Sequence, residues 1–250
     1  MPLQQYRPNK FSLLPVVVKN LLIINGLFFL TTLVMQNQLN IDLSDYLGLH
    51  YPSSDKFRIW QLVTYIFMHG SFMHLFFNMF AFWMFGNTLE NYWGPKRFLI
   101  YFMVTGIGAG IIQILVTHFR LMSLYSQISP QELNYVMSKG SEIFQSGQNF
   151  SDPIAGKINE LVNSVTIGAS GAVFGILLAF GMLFPNTMLY VYFAIPIKAK
   201  WFVIFYGALE LYSGIANSSG DNVAHFAHLG GMLFGFILIK LWQKKSNNFY

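Results

Sequence analysis

The feature that most constrains this chain is a series of apolar windows that approach the length of a membrane crossing. A hydrocarbon core is ~30 Å thick and takes roughly 20 predominantly apolar helical residues to span. Six windows qualify, at residues 13–35, 67–90, 98–119, 169–184, 201–216 and 224–242. Turn chemistry separates them: "NYWGPKR" follows the second, Pro185-Asn186 the fourth, and "SGIANSSGDN" precedes the sixth. Only 10% of the 250 residues are charged, where a soluble domain averages about 25%. The expected fold class is therefore an all-α polytopic membrane protein, a bundle of six transmembrane helices in a lipid bilayer. The first window is too long for a signal-peptide core and lacks a small-residue cleavage pattern, so it reads as a retained helix.

Charge sorts by side. Six crossings put both termini on one face. The loops and tails on that face hold Arg7, Lys10, Lys19, Lys96, Arg97, Lys198, Lys200, Lys240, Lys244 and Lys245, against Glu90. The opposite face holds the remaining five basic residues against nine acids. That is the positive-inside pattern, so both termini are expected in the cytoplasm; a large soluble helical core would not sort its charges this way. The net charge of +5 thus serves topology, and its scattered residues offer no nucleic-acid face. The absence of cysteine excludes disulfides, thiolate catalysis and Cys-ligated metals.

Two segments outside the windows remain. Residues 36–60 carry Tyr46, Tyr51, Phe57 and Trp60 and suit an outer loop lying in the membrane interface. Residues 120–165 form a long polar outer insert with weak helical periodicity at Leu133, Met137, Ile143 and Phe144.

Polar groups inside a bilayer are costly, which makes their positions informative. Windows two, four and six run the same way. Ser170 lies 15 residues before Pro185, His228 lies 15 before Gln243, and His74 lies 16 before Glu90. At 1.5 Å per residue each stands about 22–24 Å above the inner boundary. All three share one level, several Å below the outer surface. Gly171 and Gly175 form a G-xxx-G on window four, and Gly231 and Gly235 form another on window six. Small residues at that spacing let two backbones approach closely, which a serine hydroxyl needs to reach an imidazole on the next helix. A serine with a histidine base is the core of nucleophilic hydrolysis. His74 and Asn78, four apart on one helical face, are donors suited to a developing oxyanion, with the Ser170 amide as a further donor. His69 reads as an entrance or loop-supporting residue. Asp221 precedes His228 by seven residues, about 10 Å along a helix, too far to orient it. A Ser–His dyad is expected. Water must reach it, which calls for a cavity open to the outside. About 15 residues in window four cover only some 22 Å, so irregular backbone precedes it where it can line that cavity.

"HGSFMHLFFN", "GASGAVFG" and "AHLGGMLFG", in this order on windows two, four and six, resemble the rhomboid family of intramembrane serine proteases. The resemblance covers nearly the whole chain apart from the insert and both tails. It implies a catalytic domain over residues 13–243 between short cytoplasmic tails at 1–12 and 244–250. It implies Ser170 as nucleophile and His228 as general base, with His74, Asn78 and the Ser170 amide as the oxyanion hole. Phe174 matches an aromatic that packs on the catalytic imidazole. His228 is preferred to His225 because Gly231 and Gly235 follow it at +3 and +7; His225 is then a structural neighbour. Gly168, Gly171, Gly231, Gly235, His69 and His225 complete the supporting set. No cofactor and no metal are implied. The partners implied are transmembrane protein substrates, cut near the outer face. The compact form suggests a bacterial inner membrane. Oligomeric state is not legible. One departure stands out: Trp60-Gln61 occupies the place of a common Trp-Arg pair, so the bonding of that loop is expected to differ.

Rival chemistries lack their residues. A zinc protease wants H-E-x-x-H, which does not occur. An aspartyl enzyme wants two acids inside the spans, and only Glu90 and Glu210, near span ends, are present. A non-catalytic relative would typically lack the Ser or the His. A transporter would place polar groups along a path through the membrane, whereas the inner halves of windows four and six are almost wholly apolar.

Overall fold

A computed structural model describes residues 11–191, 194–216 and 223–247. Ten helices and a two-stranded hairpin appear among them, and each begins or ends on identifiable chemistry. Helix α1 (Val16–Leu39) follows Pro15, and its first free amides are satisfied from another element: Val17 N donates to Glu90 Oε1 at 2.9 Å and Val18 N to Glu90 Oε2 at 2.7 Å. It stops at Asn40, in the left-handed conformation with φ 54°. The one-turn helices α2 (Ser44–Leu47) and α3 (Gln61–Thr64) lie in the loop that follows, and a 3₁₀ turn covers Tyr65–Phe67. Helix α4 (Phe72–Trp93) opens with Ser71 Oγ accepting from His74 N at 3.1 Å. Gly94 ends it at φ 80°, and Pro95 starts α5 (Pro95–Tyr125).

The insert is more ordered than its weak periodicity suggests. Helix α6 (Pro130–Gln145) begins in a reciprocal Ser129–Glu132 capping box, and α7 (Pro153–Asn163) in Asp152, whose Oδ1 accepts from Ile154 and Ala155 N. The two helices enclose a small second core of Leu121, Val136, Ala155, Ile158 and Val162. Helix α8 (Ser170–Leu183) is followed by a feature the sequence reading lacked, an antiparallel hairpin of β1 (Met188–Val191) on β2 (Ile195–Lys198), paired Met188 with Lys198 and Val191 with Ile195. Then come α9 (Ala199–Ala216) and α10 (His225–Asn247).

A helix lies in each of the six apolar windows, with residues 13–15 of the first and 68–71 of the second outside it. Among the described residues, Val16–Leu39, Pro95–Tyr125 and His225–Lys244 are long and apolar enough to cross a membrane, and Ser170–Leu183 is a shorter apolar helix.

Helix α8 is the axis of the bundle, packed against α4, α5, α9 and α10. Glycine allows this proximity. A methyl on Gly231 of α10 would strike the Gly171 carbonyl of α8, and one on Gly175 would come within 2.6 Å of Thr105 Cγ2 and 3.0 Å of Gly231 O. Gly235 behaves differently from its expected partnership with α8: it faces the Tyr101 hydroxyl of α5. That hydroxyl donates to Gly175 O at 2.8 Å, tying α5 to α8. Around these contacts Ile66, Phe82, Leu89, Phe98, Tyr101, Phe102 and Ile176 are fully buried.

The loop between α1 and α4 is organised by the residue that departs from the common pair. The Gln61 side chain is fully buried; its Oε1 accepts from His50 N at 3.3 Å and Arg58 N at 3.1 Å, while its Nε2 donates to Lys56 O at 2.9 Å and Tyr46 O at 3.3 Å. One amide thus cross-links four points of the loop without a charge. The Trp60 indole N–H adds a bond to Tyr46 O at 3.2 Å.

Candidate active site

Four elements converge on Ser170. It is the first residue of α8, so its own N–H has no carbonyl one turn earlier to bind. The turn before it needs glycine: Gly168 sits at φ 125° with its N–H on Tyr65 O at 2.9 Å. A side chain there would also meet an imidazole, since a methyl would stand 2.8 Å from His74 Nε2 and 3.7 Å from Ser170 Oγ. Gly168 thereby leaves a small space faced by both groups. The N-termini of α4 and α8 open on this space, and the partial positive charge of helix starts favours an anion there.

Helix α10 supplies the histidine. Ser170 Oγ lies 2.8 Å from His228 Nε2, and Phe174, one turn along α8, stacks on the His228 ring at 4.2 Å and 6°. This is the contact that the Gly171–Gly231 approach makes possible. His69 is buried against His74, ring centroids 5.0 Å apart at 65°. Asn78 is turned inward: its Nδ2 donates to His74 O at 3.0 Å. An amide NH₂ carries two hydrogens, so one donor is committed to the helix.

Sequence reasoning missed Glu210. It set the residue aside as near a span end, yet Glu210 stands within α9 with 6% of its surface exposed. Its Oε2 lies 2.7 Å from His228 Nδ1 and 2.7 Å from His225 Nδ1. The signal was available, because a carboxylate in an apolar helix costs about 2.5–3.5 kcal/mol and marks a functional partner by default. A carboxylate accepts only, so both imidazoles carry their hydrogen on Nδ1. His228 Nε2 then keeps its lone pair for the seryl O–H, the tautomer a general base needs. Asp221, considered earlier as an acid, lies outside the described residues.

Glu210, His225 and His228 offer ligand atoms within 4.8 Å of one another, a spacing a divalent cation would accept. The two nitrogen–oxygen distances of 2.7 Å are those of N–H···O⁻ bonds, and the cluster is read as proton-bonded. Beside it, Gln113, Arg120, Ser213, Gly214 and His225 line a cleft between α5, α9 and the start of α10. There Arg120 Nη2 donates to Gly214 O at 2.8 Å. The cleft reaches the His225 side of the cluster; the cavity expected from the sequence was to open at Ser170.

Comparison with known proteins places these features in one context. A family model described as the Rhomboid domain matches residues 56–244. RHOMBOID-like protein 1 of Arabidopsis thaliana is 28% identical over 184 residues, covering 73% of this chain and 34% of that protein. The Bacillus subtilis (strain 168) relative YdcA is 26% identical over 193 residues, covering 76% of this chain and 71% of its own. Rhomboid protease GlpG of Salmonella choleraesuis is 34% identical over 58 residues, 23% of this chain and 21% of that protein. The chain thus spans about a third of the Arabidopsis relative's length.

Proposed function

This chain belongs to the rhomboid family, and on that premise we propose that it is an intramembrane serine endopeptidase. The observation that carries the reading is the 2.8 Å contact between Ser170 Oγ and His228 Nε2, made between two helices that only glycine lets touch. Ser170 attacks the scissile carbonyl as His228 Nε2 takes its proton; the tetrahedral oxyanion forms in the space that Gly168 leaves. His74 Nε2 faces that space, and the Ser170 amide, at the first position of α8, is the further donor in this reading. Asn78 contributes with its second amide hydrogen or by fixing the start of α4. The imidazolium then returns its proton to the leaving amine, and water repeats the cycle on the acyl-enzyme.

The substrate is a transmembrane protein cut near the outer end of its span. Six helices cross the membrane in this reading, with both termini in the cytoplasm of a bacterium and the Ser170 end toward the outside. The catalytic domain spans 13–243, and the α6–α7 insert sits on the outer side.

Labelling of the purified protein with a fluorophosphonate probe tests the reading. Wild type is expected to label, and Ser170→Ala and His228→Ala are expected to lose labelling. Labelling that survives Ser170→Ala would sink the assignment of the nucleophile.

A further inference from the structure

The Ser170–His228 pair accounts for two of the groups in the polar chain that crosses this bundle. The third, Glu210, belongs to α9, whose Tyr206 also reaches the site by packing on Phe174, ring centroids 5.1 Å apart. Resting on the protease reading above, we infer that Glu210 is a positioning residue for His228, so that this enzyme works through a Ser–His–Glu relay in which His225 holds the carboxylate.

Three observations carry this. Glu210 is nearly buried in an apolar helix, where an ionised group persists only if its partners repay the desolvation. Both of its imidazole partners reach the same oxygen, Oε2. The His228 bond to it is as short as the His228 bond to the serine is on the other side of the ring, 2.7 Å against 2.8 Å. Two N–H donors on one oxygen fix the carboxylate in direction as well as position. His225 and His228, three apart on α10, are set for this by helical spacing. Phe174 stacks flat on the His228 ring, so the imidazole is held by a plane on one face and by hydrogen bonds at both nitrogens.

The consequence for the chemistry follows from proton position. In the resting state Nδ1–H donates to Glu210, and Nε2 accepts from Ser170. As Oγ bonds to the electrophile, the seryl proton moves to Nε2, and His228 becomes an imidazolium facing a carboxylate 2.7 Å away. The proton then leaves on the departing group, and Glu210 never takes it up. The carboxylate stabilises the charged intermediate and holds the tautomer that starts the cycle.

The test uses the same fluorophosphonate on purified wild type, Glu210→Gln and Glu210→Asp, with Ser170→Ala as control. In that reaction Oγ bonds to phosphorus, fluoride departs with the P–F electron pair, and the seryl proton passes to His228. The rate constant is measured from pH 5 to 9. The titratable and charged groups around His228 and Glu210 are His225 on α10, Tyr206 one turn earlier on α9, His74 on α4 and Arg120 on α5, and all are kept. Glu210→Gln is expected to label on the order of 10²–10³-fold more slowly, and the midpoint of its rate–pH profile is expected to move to lower pH, because the imidazolium loses its facing negative charge. Glu210→Asp keeps the charge and is expected to keep the wild-type midpoint. The midpoint is read on the molecules that label, so a partly unfolded sample lowers the amplitude and leaves it in place. Equal rates and midpoints in wild type and Glu210→Gln would overturn the relay and leave the protease reading standing. A rate lost equally in Gln and Asp with no shift of midpoint would also overturn it. Loss of wild-type labelling on adding EDTA would overturn it in favour of a bound cation. Wild type that does not label at Ser170 would overturn the relay and the protease reading together.

Discussion

Two glutamates are buried in this bundle to a similar degree, Glu90 at 3% exposure and Glu210 at 6%, yet they face opposite kinds of donor. Glu90, near the end of α4, accepts from the first peptide amides of α1 through both oxygens. Peptide N–H groups do not release protons near neutrality, so this carboxylate is a cap: it closes the start of one helix with the end of another and answers the positive end of the α1 dipole. Glu210 accepts from two imidazoles through a single oxygen. Imidazoles do exchange protons near neutrality, so the same side chain at similar burial stands beside a titrating group. Burial alone does not tell a structural acid from a working one; the identity of the donor does.

Substitution at the two sites separates these roles. Glu210→Gln is expected to cost about 3–4 kcal/mol of transition-state stabilisation in serine labelling, while Glu90→Gln leaves the labelling rate per folded molecule unchanged. A slow Glu90→Gln enzyme would break the comparison. Next in size is the contact that brings the helices together. Gly231→Ala drives a methyl at the Gly171 carbonyl and is expected to cost about 2–3 kcal/mol of stability by overpacking and to abolish labelling, read by thermal unfolding beside the probe assay. Glu90→Gln itself is expected to cost about 1–3 kcal/mol through its lost charge-assisted bonds, seen as a lower unfolding midpoint.

The smallest effect lies in the first loop. Burial holds the His50 imidazole below its ordinary value of 6.5, with Lys56 acting in the same direction and Asp45 against it. The folded chain therefore resists a proton that the unfolded chain accepts. Stability is full above about pH 6.5 and falls as pH drops from there toward the lowered folded value. His50→Leu is expected to flatten that fall by about 1–3 °C in unfolding midpoint between pH 6.5 and 5, and an unchanged slope would remove His50 from the account.

How much of this was legible from residues alone depends on range. The Ser170–His228 encounter was, because depth along parallel-running helices can be counted and the glycines on both advertise close approach. The facing donors were legible in part: His74 does face the Gly168 space, whereas Asn78 bonds its own helix, a choice between i−4 carbonyl and ligand that spacing does not decide. Glu210 was passed over because its partners lie 15 and 18 residues away in sequence, across a helix-to-helix turn. Reading it as a span-end residue treated location as explanation. The insert's helices were under-read although Ser129-x-x-Glu132 and Asp152-Pro153 are start signals; their apolar positions serve a small core of their own. The β1–β2 hairpin went unseen because its eight paired residues are shorter than any window tuned to membrane helices.

The loop around Gln61 carries one more consequence. Gln61 ties four points of it through a neutral amide, which salt does not screen, whereas the Lys56–Asp45 ion pair at 2.7 Å in the same loop is within reach of salt and of acidic phospholipid headgroups. Rising ionic strength is thus expected to loosen the Lys56–Asp45 contact while the four bonds of Gln61 hold the loop together.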